Sequence, residues 1–377
     1  MLQFSAPTAS VLSTQTAAIE VIYAASLHYS HTHSESDVGG ASSDSGLVPI
    51  ESSVFEDLCF SSVRQVFPKA TCWSPNNTSM FDLKQFSEIA NRIELAQKSG
   101  AEGVVLHVPL DNVEYLSHYL TLATRGGWPP LNALKIPVVI NYPFLNNLES
   151  SRFNIENNLM SPMFLCQRLI DETISPQVFV NTPTGLVIAS GLIRHSTDSL
   201  NAFRLNIGAA IPDFNMPLEL FASFGNRHEP SRGFLTPISS DVQILSWGQS
   251  LVLDIILKSA QGIIASNNDA ASSLILENSA AFAHFIGQGG VVVLAPSSLR
   301  SEFGDAQETE YERELGKLGV IFAYNHSVPA AWTKLSWLIE NKLCTSAQDY
   351  QRAFITPWGA EVNPMLVPKV VLSTLKK

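Results

Sequence analysis

The chain has 377 residues, a length that suits one large α/β unit with an appendage. Hydrophobic residues make up 45% and charged residues 15%. That charged share is well under the roughly 25% of an ordinary globular protein, so apolar material for a core is plentiful and overall disorder is excluded. The formal net charge of −11 opposes phosphate backbones, so duplex nucleic acid is not an expected partner.

Cys59, Cys72, Cys166 and Cys344 are far apart and form no CxxC pair, which suits buried thiols in a reducing compartment. Residues 1–15 lack the basic start and unbroken apolar run of an export signal. No stretch reaches the roughly 18 apolar residues of a membrane span. The expectation is a soluble chain of the cytoplasm, with the nucleus as a second location. In that setting Asn76-Asn77-Thr78-Ser79 and Asn325-His326-Ser327 are chance matches to the glycosylation pattern.

The apolar run over 19–26 (IEVIYAAS) predicts a buried strand. Residues 30–53, rich in Ser, Asp, Glu and Gly, predict an acidic loop. A βα rhythm follows. Residues 82–99 carry Phe86, Ile89, Ile93, Leu95 and Ala96 at near-helical spacing and end at Gly100. Residues 103–109 (GVVLHVP) hardly alternate, the mark of a strand covered on both faces in a parallel sheet. A helix over 112–123, a strand over 136–141, a helix over 159–172 and a strand over 177–181 continue the pattern. Strands are expected over 185–193, 203–208, 233–236, 262–266, 290–295 and 320–324. Helices are expected over 217–224, 245–258, 270–286, 308–316 and 330–341, with an irregular tail after them. Alternation of this kind implies parallel strands joined by crossovers. The fold class predicted is α/β, a TIM-type (β/α)8 barrel over 19–290 after an N-terminal segment of 1–18, with an additional C-terminal α/β segment over 291–377. A doubly wound open sheet is the alternative, but no Gly-rich first turn follows residues 19–26.

Few patterns carry chemistry. His28-Tyr29-Ser30-His31-Thr32-His33 follows the first strand. An HxH pair there would place His31 and His33 over a barrel mouth, where imidazoles bind divalent metals well. His107, ending a later strand, would join them as the metal set of a hydrolase, with His195 and His228 available to complete the shell. Clear carboxylate ligands at later strand ends are missing, with Asp213 and Asp241 nearby only in a loose sense, so a solvated loop and a structural His107 compete with that reading. Gly287-Gln288-Gly289-Gly290 precedes a strand, where a dinucleotide loop would follow one, and reads as a turn. There is no GxSxG elbow and no GxxxxGK[ST]. Cys72 and Cys166 read as core thiols. Glu302, Asp305, Glu308, Glu310, Glu312 and Glu314 read as a solvated face beside Arg313 and Lys317. On the residues alone, no catalytic, cofactor-binding or metal residue is assigned, with His31, His33 and His107 as the alternative.

Several segments in order resemble the N-terminal barrel region of the type II, symmetric protein arginine methyltransferases. They are Leu27-His28, Trp73-Ser74-Pro75-Asn76, Phe86-Ser87-Glu88-Ile89-Ala90, residues 101–110 (AEGVVLHVPL), residues 205–212 (LNIGAAIP), Phe224-Gly225 with Glu229-Pro230, Phe234-Leu235-Thr236-Pro237, and residues 262–267. The likeness covers about 19–288. It implies a barrel-only or divergent member without its own S-adenosylmethionine site, since that cofactor would belong to a domain absent here. Ser301-Glu302-Phe303-Gly304-Asp305 only faintly echoes the family's double-glutamate loop. The implied role is protein binding and assembly, with a WD-repeat protein and substrate adaptor proteins as partners and a homo- or hetero-oligomer as the product. The alternative function is the metal-dependent barrel hydrolase.

Overall fold

The computed structural model describes residues 16–24, 28–30, 47–49, 60–75, 83–124, 133–142, 152–173, 176–182, 185–189, 192–194, 203–205, 234–245, 252–267, 269–296, 310–323 and 326–355. β1 (Ile19–Tyr23) is buried along its whole length. β2 (His28–Ser30) and β3 (Leu47–Pro49) form a separate antiparallel pair, β3 inside and β2 at the edge of the segment expected to be an acidic loop. α1 (Ser61–Val66) leads into β4 (Thr71–Trp73), and both are too short for their periodicity to show in the sequence. The expected rhythm then appears as α2 (Leu83–Lys98), β5 (Gly103–His107), α3 (Leu110–Ala123), β6 (Val138–Asn141), α4 (Arg152–Asp171) and β7 (Val178–Thr182). β8 (Gly185–Ile188) folds back on β7 as an antiparallel hairpin. Gly185, at φ 133°, takes the turn conformation that a side chain would oppose. β9 (Leu192–Arg194) and β10 (Phe203–Leu205) also pair antiparallel, so neither continues a parallel sheet as expected.

The second half brings β11 (Val242–Leu245), α5 (Leu253–Ser259), β12 (Gly262–Asn267), α6 (Asp269–Glu277), α7 (Ser279–Gly287), β13 (Val291–Pro296), α8 (Glu310–Lys317), β14 (Ile321–Phe322), α9 (Val328–Glu340) and α10 (Ala347–Ile355). The helix expected over 270–286 is two, parted at Asn278. This residue sits outside helical geometry at ψ 28°, and its side chain donates to the Leu274 carbonyl at 2.8 Å. α10 lies in a tail expected to be irregular. Ser346 and Asp349 cap it reciprocally, the Asp349 N–H on the Ser346 hydroxyl at 3.2 Å and the Ser346 N–H on the Asp349 carboxylate at 3.0 Å. The acidic helix also differs from its predicted solvated face, because Glu312 is buried. The helix predicted over 217–224 and the stretch 246–251 of the one predicted over 245–258 fall on residues outside those described, while Leu245 belongs to β11.

Two sheets organise the chain. The first runs β4-β1-β5-β6-β7-β8, parallel except for β8. Its strands feed two cores by strict alternation. Ile22, Val104, Leu106, Val138 and Ile140 pack with Phe86, Ile93, Leu116 and Leu120 of α2 and α3. Ile19, Val21, Val105, Val139 and Phe179 pack on the opposite face with Val63, Leu159, Met163 and Cys166 of α1 and α4. Such covering on both faces is why these strands read as unbroken aliphatic runs. The second sheet, β11-β12-β13-β14, is wholly parallel. It is likewise sandwiched, by α9 and α10 on one side and by α5 to α8 on the other. The two units meet where α3 packs on α9, with Tyr115 edge-on to Trp332 at 5.5 Å and Leu122 inside the second core. No described helix is long and apolar enough to cross a membrane.

The α/β class with parallel strands therefore holds. The closed ring does not: among the described residues, the first sheet ends at β4 and β8, and the second is a separate open sheet. The layers are also tight. A Cβ on Gly103 would run into the Cys166 sulfur and lie 3.1 Å from the Ile170 methyl. We expect Gly103→Ala to lower stability by about 1–2 kcal/mol through overpacking, read as a lower urea midpoint at unchanged slope. An unchanged or raised midpoint would show that α4 yields freely.

Candidate functional site at the strand ends

In the first sheet the chain builds outward from β1 on one side to β4 and then restarts on the other side with β5. Open α/β sheets hold ligands outside the carboxyl ends of the strands at such a reversal. Here the aliphatic runs end in polar or aromatic residues at one level. Tyr23 faces His107 across β1 and β5, and His107 is level with Asn141 across β5 and β6. Asn181 follows one residue after the Ile140–Val180 pairing of β6 and β7. All four are buried.

Side chains tie this row together. The Asn181 amide donates to Asn141 Oδ1 at 2.9 Å, and the Asn141 amide nitrogen lies 3.1 Å from His107 Nδ1. An amide nitrogen only donates, so Nδ1 accepts and the ring proton belongs on Nε2. His107 Nε2 is buried with no partner in the structure. A buried donor left unsatisfied costs about 1–3 kcal/mol, the kind of cost that functional sites carry. Burial pushes the His107 pKa down to about 3, so the ring is neutral and donating at any physiological pH.

Charged groups sit beside the row, on the first turns of α3. Asp111 Oδ1 accepts from Arg194 Nη1 at 2.5 Å. Glu114 accepts from the Arg194 backbone N–H at 3.1 Å and from the Ser327 hydroxyl at 2.6 Å. Burial raises the Glu114 pKa, against the opposing pull of Ser327 and of Arg194. The Arg194 guanidinium is half-buried and paired with Asp111 on the first turn of α3, near that helix's positive end, a combination suited to an anionic group.

Of the residues predicted from the sequence, only His107 falls in this site, and its Nδ1 is committed to Asn141 rather than to a metal. His31, His33, His195, His228 and Asp213 lie outside the described residues. Asp241, at the start of β11, accepts from Gln261 at 2.6 Å. Among the described residues, no group of three or more His, Cys, Asp or Glu side chains is placed to hold a metal. Cys166 is fully buried, its pKa raised to about 12 by burial, which keeps the thiol inert. Sequence reasoning missed Asn141, Asn181, Asp111, Glu114 and Arg194. The signal for the first two was present, since each aliphatic run stops abruptly in a polar residue (VVLH, VVIN, VFVNT). Arg194 and Asp111 are 83 positions apart and carried no such signal.

The fold and site define an open, layered α/β protein with a buried row of polar side chains at the strand ends, beside a reversal of strand order. No protein-family model matches the chain, and no curated protein sequence matches it. Solved structures do. A thermostable L-asparaginase from Thermococcus kodakarensis superposes with a TM-score of 0.61 at 15% identity, covering 92% of this chain and 99% of that one. A probable cytoplasmic L-asparaginase from Campylobacter jejuni gives 0.61 at 16% identity, covering 90% and 99%. L-asparaginase I from Vibrio cholerae gives 0.59 at 16% identity, covering 93% and 100%.

At these identities the likeness is one of fold, and it corrects the expectations drawn from the sequence. The methyltransferase resemblance is overturned, because 90–93% of the chain superposes on L-asparaginases rather than on a methyltransferase barrel. With it go the readings of a methyltransferase-like protein-binding and assembly module and of a metal-dependent barrel hydrolase built on His31, His33 and His107. The WD-repeat protein, the adaptor proteins and the missing S-adenosylmethionine domain rested on that resemblance alone.

Proposed function

We propose that the chain is an amide hydrolase of the asparaginase type, acting on a small amino acid with a carboxamide side chain. The observation that carries this is the end-to-end fold likeness, 90–93% of this chain against 99–100% of three L-asparaginases. The strand-end site is consistent with it. The Arg194 guanidinium beside the start of α3 suits a carboxylate, and the Asn181–Asn141–His107 row offers the short, fixed polar groups that suit an amide.

A specific observation favours a second reading, binding without turnover. Hydrolysis through a hydroxyl nucleophile needs a base to take its proton. His107 accepts at Nδ1 already and stays neutral, so its free nitrogen donates and takes no proton. One pair of measurements decides between the readings. Ammonia release from L-asparagine, D-asparagine and L-glutamine, followed beside calorimetric titration with L-aspartate, is expected to show release from at least one amide. Heat of binding without ammonia would establish the second reading. Neither signal, at millimolar ligand, would sink both.

A further inference from the structure

Glu114 is one turn into α3, and its side chain is almost wholly buried. Its two carboxylate oxygens serve different parts of the chain. One accepts from the Ser327 hydroxyl at 2.6 Å, the other from the Arg194 backbone N–H at 3.1 Å. Ser327 is the N-cap of α9, and its oxygen accepts from the Ala330 N–H at 3.3 Å, so its own proton goes to Glu114. Arg194 is gripped a second time through its side chain by Asp111, three residues before Glu114. One helix turn thus holds this arginine by both backbone and guanidinium, and the same turn is bonded to the helix that covers the second sheet.

We infer that Glu114 is a positioning residue, which sets Arg194 against the first turn of α3, just beyond the carboxyl end of β5, and, through Ser327, makes that setting depend on the seating of α9. Ligand affinity is then controlled from the second sheet's layer, more than a hundred residues along the chain from Arg194. The effect on affinity rests on the proposed function, in which Arg194 reads a carboxylate; the joint itself does not. A buried carboxylate is a poor stabiliser, since its desolvation offsets much of what its hydrogen bonds return, so a role in geometry accounts for it better than a role in stability.

The test uses the full chain, with L-aspartate as the calorimetric probe. Glu114→Gln keeps the shape but turns an N–H toward one of two donors. It is expected to weaken binding about tenfold or more, the size expected for losing a hydrogen bond to a charged group. Ser327→Ala, at the N-cap of α9, is expected to weaken it about threefold, and the double variant no more than Glu114→Gln alone, because the two act through one contact. Asn341→Ala, at the far end of α9, is expected to leave affinity unchanged. Unaltered affinity in Glu114→Gln, or equal losses in Ser327→Ala and Asn341→Ala, would overturn the inference.

A second readout needs no ligand. The Nε–H resonance of Arg194 in chain labelled with ¹⁵N-arginine is expected to move in both Glu114→Gln and Ser327→Ala. If it moves while no small amino acid binds the unaltered chain, the joint stands and the proposed function falls. If it stays put in Ser327→Ala, the joint falls whatever binds.

Discussion

Taking the chain from pH 7 to pH 4 is expected to remove about 3 kcal/mol of folding stability through His107 alone. The ring is buried, which pushes its pKa from the ordinary 6.5 down to about 3. In the window between those values the unfolded chain binds a proton that the folded chain refuses. The contribution is therefore complete above pH 6.5 and is lost as the pH falls toward 3. At pH 4 about two and a half of the three and a half pH units have been crossed, at about 1.36 kcal/mol for each. Other groups titrate in the same range. Glu114 acts with the opposite sign, because its raised pKa makes the folded chain the better proton acceptor. The clean measurement is therefore a difference. His107→Asn keeps an acceptor near the position of Nδ1 for the Asn141 amide and cannot titrate. Urea unfolding at pH 7 and pH 4 is expected to show a loss about 3 kcal/mol larger in the unaltered chain than in His107→Asn. Equal losses would mean that the ring is protonated in the folded state or open to water. The donor-only role of His107, and with it the binding-only reading, would then fail.

The same histidine shows what the sequence could and could not disclose. GVVLH, VVIN and VFVNT are legible as doubly covered parallel strands because burial on both faces leaves no polar alternation. Their direction and rough limits follow from the intervening amphipathic helices. Strand order does not follow, because a barrel and an open sheet share the same local βα alternation. The difference lies in which strands flank β1. Here β4 lies on one side and β5 on the other, which among the described residues leaves edges at β4 and β8 and creates the reversal beside which the polar row sits. For the same reason the colinear resemblance misled. Short aliphatic strands followed by Pro or Gly turns recur in any parallel α/β sheet, so the match reported an architecture and not a family. The site was half legible. Polar residues closing aliphatic runs mark strand ends, but the pairing of Asn181 with Asn141, or of Arg194 with Asp111, is a product of tertiary packing between distant segments. The alternation rule also gave no warning of Glu20, a charged residue inside a strand buried along its whole length.

That residue sets the other large expectation. Glu20 points to the same face of β1 as Ile22, toward α2, where it is almost fully buried and bonded to Arg92 Nε. The Arg92 guanidinium also lies 5.6 Å from the centre of the Trp73 ring on β4, so it spans the two strands on that side of the reversal. Arg92→Met keeps the aliphatic stem but leaves a carboxylate buried without its cation. We expect it to cost about 3 kcal/mol, since an uncompensated buried charge loses far more than the pair itself contributed. Glu20→Leu in the Arg92→Met background is expected to recover most of that loss, because an apolar pair of similar size carries no desolvation penalty. Urea unfolding of the two single variants and the double variant gives the coupling directly. Additive losses would show that Glu20 is solvated from the sheet edge and that the pair does not matter. The consequence reaches the site, because Tyr23 lies three residues beyond Glu20 on the same strand. Loosening β1 against α2 is therefore expected to weaken ligand binding in Arg92→Met and to restore it in the double variant, which has neither charge. Stability and affinity rising and falling together across the cycle would place the rigidity of β1, rather than the charge of Glu20, among the requirements of the strand-end site.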